Sequence, residues 1–73
     1  MPKLPAFTPK EIEKILLKNG FFVKRQAGSH RIFYCQDSGK IAVVPFHSKD
    51  IAKGTVRSII KQSGLDEDCF KKK

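Results

Sequence analysis

The chain has 73 residues, which predicts a single domain over residues 1–73, too small to enclose a large cofactor, so no small-molecule cofactor is expected. Fifteen Lys and Arg against seven Asp and Glu give a formal net charge of +8, which favours nucleic acid, an anionic membrane surface or an acidic protein as partner. Two cysteines are too few for a disulfide framework, and no segment approaches membrane-spanning length, so a cytoplasmic protein with free thiols and no membrane partner is expected.

An extended lead-in and a helix are predicted first. Residues 1–7 contain two prolines and read as extended chain. Thr8 has the position of an N-cap, Pro9 is suited to the first helical position, and Glu11 completes a capping box. Gly20 is suited to the left-handed position that ends the helix.

Three strands and a second helix follow. Strands are predicted at 21–26, 30–35 and 41–46, and the two short Gly-containing turns between them favour an antiparallel meander. Pro45 places the end of the third strand at a sheet edge. A loop at 47–53 then leads to a helix that ends at Ser63, before Gly64.

The chain end is predicted to return to the core. One last turn after Asp66 brings Phe70 back, and residues 71–73 form a basic tail. The element order is therefore α-β-β-β-α, an α+β fold in which two helices cover one face of a three-stranded antiparallel sheet. Double-stranded RNA-binding domains have the same order, although a fold alone does not establish function.

The segment 25–31 carries the residues best suited to chemistry. A tight turn at Gly28 and Ser29 delivers His30 to the first position of a strand, where a side chain is held in place yet exposed. Histidine exchanges protons near neutral pH. Arg25 and Arg31 flank it, and both can make forked contacts to phosphate, while Ser29 and the turn N–H groups add donors.

These parts predict RNA cleavage by internal transesterification. A base removes the proton of a ribose 2′-OH, the oxygen attacks the adjacent phosphorus, and cations stabilise the charge on the phosphoryl oxygens. No metal-ligand cluster is visible in the sequence, so a metal-free route is favoured. His47 is a weaker candidate for a second acid or base or a phosphate contact. For either histidine, an incidental surface position is the alternative.

The positive charge is concentrated around His30. Between Glu13 and Asp37 no acidic residue occurs, and the segment contains Lys24, Arg25 and Arg31, which we expect to bind the RNA backbone. A merely solvated basic surface is the alternative interpretation.

Four motifs in order resemble the HicA (YcfA-like) toxin family over nearly the whole length. They are Lys18-Asn19-Gly20-Phe21, Gly28-Ser29-His30, Val43-Val44-Pro45-Phe46-His47 and the segment from Lys53 to Gly64. The resemblance implies a double-stranded-RNA-binding-domain-like fold, translation-independent cleavage of mRNA and neutralisation by a HicB antitoxin. It places the family's catalytic histidine on His30, preceded by the family's Gly and Ser at Gly28 and Ser29.

The alternation of side chains along the second predicted strand allows two interpretations. If His30 faces the open side of the sheet, Ile32 and Tyr34 face it too, while Arg31 and Phe33 face the helices, so both faces are partly apolar. Either a β-bulge shifts the alternation, or the open face binds a protein such as an antitoxin. The rival functions are a non-catalytic RNA-binding module on the same fold and a basic adaptor for an acidic protein.

Overall fold

The computed structural model describes residues 6–46 and 49–70. Its elements, in chain order, are α1 (Pro9–Lys18), β1 (Phe21–Ala27), β2 (His30–Cys35), β3 (Lys40–Pro45), α2 (Lys53–Ser63) and a short 3-10 helix (Glu67–Phe70). The predicted α+β class and the α-β-β-β-α order are confirmed, with most boundaries within one residue of the prediction. The predicted basic tail at 71–73, His47 and most of the predicted lead-in lie outside the described residues.

The start of α1 follows from its capping residues. The Thr8 N–H donates to Oε1 of Glu11 at 2.8 Å, and the Glu11 N–H donates to Oγ1 of Thr8 at 3.3 Å, so the predicted capping box is present. Phe7 is buried just before the cap and pairs its backbone with Ile51 from the loop before α2. Gly20 has a φ of 91°, as its predicted place after the helix requires.

The sheet is an antiparallel meander in the order β1-β2-β3. Pro45 ends β3, which is an edge strand, as predicted. The register between β1 and β2 shifts between Val23 and Arg25, so Lys24 is the extra residue of a β-bulge. At the other end of the sheet His30 lies opposite Ala27 on one side and Pro45 on the other.

The alternation along β2 settles which side chains face the helices. Phe33 and Cys35 are buried, whereas His30 is exposed, so His30 shares the uncovered face with Ile32 and Tyr34. The bulge lies in β1 and leaves the alternation of β2 intact. The core on the other face combines strand and helix residues: Leu16, Phe33, Val44, Val56, Ile59.

The second helix is tied to the outer edge of β3. Gln62 accepts a hydrogen bond from the Val43 N–H through Oε1 at 3.1 Å. Gly64 ends α2 in the left-handed conformation, with a φ of 69°. Phe70 then returns to the core, as predicted, and packs edge-on against Phe7 with ring centroids 6.3 Å apart.

Candidate functional site

The uncovered side of the sheet is the surface on which His30 lies, and we call it the open face. By the strand register and the side-chain contacts it comprises Phe22, Lys24, Arg25, Ala27, His30, Ile32, Tyr34, Ile41, Val43 and Pro45. None of these described residues is acidic. A cation-bearing face without carboxylates of its own is suited to a polyanion.

The turn before His30 is held by the backbone. Gly28 has a φ of 61°, which L side chains rarely adopt, and no atom lies within 4 Å of the Cβ that a larger residue would add there. The constraint on Gly28 is therefore conformational rather than steric. The Ser29 carbonyl accepts a hydrogen bond from the Phe46 N–H at 2.6 Å, which fastens the turn to the end of β3. His30 thus begins β2 exposed but on a fixed backbone.

Arg31 points away from His30. Its Nη1 donates to Oε2 of Glu13 on α1 at 2.6 Å, and its guanidinium lies 4.4 Å from the ring centroid of Phe46. Glu13 keeps only 18% of its side chain exposed and Arg31 34%. Arg31 therefore ties the start of β2 to α1 and the end of β3, and the structure does not bring its guanidinium to the face of His30.

Lys24 and Arg25 reach the open face together because of the bulge. Neighbouring residues of a regular strand point to opposite faces. Here Arg25 lies opposite Ile32, a residue of the open face, and Nζ of Lys24 lies 4.8 Å from the ring centroid of Tyr34 on that same face. The structure therefore brings both of these predicted phosphate-binding cations to the sheet face on which His30 lies.

His47, the weaker candidate, lies outside the described residues. It follows Phe46, whose backbone is bonded to Ser29. Its part in the site stays a prediction.

An aromatic pair on the open face was missed by the sequence reasoning. Phe22 and Tyr34 lie opposite each other across the β1–β2 hairpin, with ring centroids 5.7 Å apart and planes at 86°. Phe22 is 45% exposed. Regular pairing counted back from the Gly28-Ser29 turn would put Val23, not Phe22, opposite Tyr34, and only the bulge at Lys24 brings Phe22 there. Nothing local in the sequence indicated the Glu13–Arg31 pair either.

The two thiols lie apart from this surface and belong to or pack against the core. Cys35 is buried on the helix side, where a hydrogen bond from the Ser38 side chain lowers the pKa of its thiol, with backbone hydrogen bonds adding to the effect. Cys35 and Cys69 are both free.

Within residues 6–46 and 49–70, no group of three or more His, Cys, Asp or Glu side chains is placed to hold a metal ion. Over the same residues, no helix combines the length and apolar character needed to cross a membrane.

The chain matches the model of a known protein family. The family model described as the HicA toxin of bacterial toxin–antitoxin systems matches residues 9–65, well over half of the chain. The matched part contains both helices, all three strands and the whole open face. No curated protein matches the sequence.

Proposed function

Since the chain belongs to the HicA toxin family of bacterial toxin–antitoxin systems, we propose that it is an endoribonuclease that cleaves mRNA and that a HicB-like antitoxin neutralises it. The observation that carries the proposal is the placement of His30. It is exposed on a fixed turn, on the same sheet face as Lys24 and Arg25. Phosphodiester cleavage needs a proton-transfer group and cations that bind the RNA backbone, and the open face carries both.

In the proposed reaction His30 acts as a general acid or base. As base it takes the proton of a ribose 2′-OH, and the 2′-oxygen forms a bond to the adjacent phosphorus. The bond from phosphorus to the 5′-oxygen breaks, and that oxygen receives a proton from water or from His47 as the second acid. The products are a 2′,3′-cyclic phosphate and a 5′-hydroxyl. The reaction needs no metal ion in this proposal, because cations of the chain stabilise the developing charge.

The remaining site residues bind and position the RNA. We propose that Lys24 and Arg25 hold phosphates, and that the Gly28 and Ser29 turn donates to a phosphoryl oxygen. His47 is proposed as a second acid or base or as a phosphate contact. A phosphate contact by Arg31 requires it to exchange the Glu13 carboxylate for RNA, since that carboxylate already binds its guanidinium.

The proposed function also implies a domain organisation and a place in the cell. We infer that residues 1–73 act as one domain, since the described core joins residues from Phe7 to Phe70. We place the activity in the cytoplasm, where both mRNA and an antitoxin are accessible.

A non-catalytic RNA-binding module is the second candidate function. The combination of exposed aromatic and cationic side chains on the open face favours it, since that combination binds single strands without any chemistry. Measuring cleavage and binding separately for the wild type and His30→Ala decides between the two. An endoribonuclease loses cleavage and keeps binding, whereas a binding module never cleaves.

A further inference from the structure

We propose that Phe22, Lys24 and Tyr34 form a stacking site for an unpaired base of the RNA, and that this site lies a few nucleotides from the scissile phosphate at His30. The proposal rests on the proposed function in taking RNA as the ligand. It adds a substrate class, unpaired RNA, and a second point of contact on the open face.

The first support is the exposed apolar rung across the sheet. Phe22, Tyr34 and Ile41 lie opposite one another in the register, and Phe22 and Ile41 are each 45% exposed. Phe22 and Tyr34 pack edge to face. The ring whose edge contacts the other ring therefore has neither of its own two faces covered by that ring. A planar base has the shape and the π-face to cover such a ring.

The second support is the position of the Lys24 ammonium, 4.8 Å from the Tyr34 ring centroid. The bulge in β1 puts this cation directly beside the aromatic pair. A phosphate and a base of one nucleotide can therefore be bound at the same place, the phosphate by Lys24 and the base by a ring. A polyanion fits this arrangement better than a purely apolar protein surface would.

The third support is the distance along β2. Tyr34 is four residues from His30 on the same face of the strand, and four residues advance about 13 Å in a strand. A stacked nucleic-acid strand advances about 3.4 Å per nucleotide and an unstacked one more. A base on the aromatic pair is therefore at most about four nucleotides from a phosphate at His30.

Unpaired RNA follows from the geometry of stacking. In a duplex both faces of a base are covered by its neighbours, so a protein ring can stack only on bases of single strands, loops or ends. The aromatic pair therefore selects for unpaired RNA, while Lys24 and Arg25 contribute affinity without regard to sequence.

Tyr34 supplies its own probe. The chain has one Tyr and no Trp, so intrinsic tyrosine emission reports on the open face alone. The experiment uses the full chain with His30→Ala, which prevents cleavage, and titrates it with oligouridylate or with the same strand paired to oligoadenylate. We expect saturable quenching by the unpaired strand and little by the duplex.

Phe22→Ala is tested in the same His30→Ala background. Removing a stacking ring weakens single-strand binding by on the order of 5- to 150-fold. Phe22→Leu keeps the apolar bulk without a ring face and is expected to weaken binding as well. Leu17→Ala is the matched control, because Leu17 is an apolar residue of α1 with 49% exposure. Circular dichroism checks that all variants are folded.

The outcomes separate the stacking site from the proposed function. Equal affinity of Phe22→Ala and Leu17→Ala for oligouridylate overturns the stacking site and leaves the aromatic pair to a protein partner, even if the wild type cleaves RNA through His30. Phe22-dependent binding by a chain that never cleaves supports the stacking site and contradicts the endoribonuclease. Quenching by the duplex as strong as by the single strand also overturns the proposal.

Discussion

Arg31 binds Glu13 of α1 at 2.6 Å, although it follows directly after His30 in the chain. His30 and Arg31 point to opposite faces of β2, so they have different roles. His30 faces the open side, and Arg31 joins the strand to the helix and to Phe46. The residue beside the proposed catalytic histidine is thus a structural anchor in this conformation.

The first prediction concerns this anchor. Glu13→Gln removes the charge of a partly buried pair and is expected to lower the free energy of unfolding by about 1 kcal/mol. Urea denaturation measures this free energy of unfolding. Glu67→Gln is the matched control, because Glu67 is exposed and its removal changes the net charge equally.

RNA binding by the same two variants tests the role of Arg31. If Arg31 is an anchor, Glu13→Gln and Glu67→Gln bind RNA alike. A clear gain of RNA affinity in Glu13→Gln alone would show that Arg31 binds phosphate once Glu13 no longer pairs with it. Arg31 would then be an RNA-binding residue rather than a structural anchor.

Local sequence signals predicted most of this fold. The Thr8 and Glu11 capping box and the turns at Gly28 and Gly39 act through bonds between near neighbours, so a single sequence displays them. Strand alternation put His30 and Phe33 on opposite faces but left open which of them faces the helices, and the burial of Phe33 decides it. These features depend on the conformational preferences of the backbone and on the two-residue alternation of side chains along a strand.

Two features of the site could not be predicted in this way. The bulge at Lys24 depends on how two strands pair, and it decides that Lys24 and Arg25 share a face. The bond from Arg31 to Glu13 joins residues 18 positions apart, and only the packing of α1 on the sheet brings them together. The sequence shows the charge of Arg31 but not its partner, so it could not indicate that a phosphate contact by Arg31 requires the release of Glu13.

The second prediction concerns the cations of the open face. Each phosphate contact releases counterions, so replacing Lys24 or Arg25 with Gln should flatten the salt dependence of RNA binding by about 0.7 in the logarithmic slope. Lys61→Gln, an exposed change in the last turn of α2, is the control and should leave the slope unchanged. An RNA affinity that does not vary with salt would show that these cations are only solvated surface charge.

The third prediction concerns the chemistry of cleavage. Activity should persist in EDTA, and the products should carry a 2′,3′-cyclic phosphate and a 5′-hydroxyl, because the 2′-oxygen is the attacking group. A substrate with 2′-deoxyribose at the scissile position should stay intact. Product end groups are read by mass spectrometry. Loss of activity in chelator, or cutting of the deoxy substrate, contradicts this route.

The fourth prediction concerns the antitoxin. An inhibitor that covers the open face blocks His30, and the cations there attract an acidic partner quickly. RNA and antitoxin should therefore compete. Titrating labelled RNA into a preformed toxin–antitoxin complex and following its anisotropy measures this. A stable ternary complex that still cleaves RNA would place the inhibitor elsewhere.

The most direct measurement of the central claim is the cleavage rate of His30→Ala. His30 is exposed at the start of β2, so its replacement is expected to leave the fold unchanged, as circular dichroism and thermal unfolding can verify. Losing a positioned acid or base typically slows a reaction by about 10²–10⁴-fold. The account predicts a loss of that size, with single-strand binding retained. A folded His30→Ala variant that cleaves RNA within about a factor of two of the wild type would contradict it.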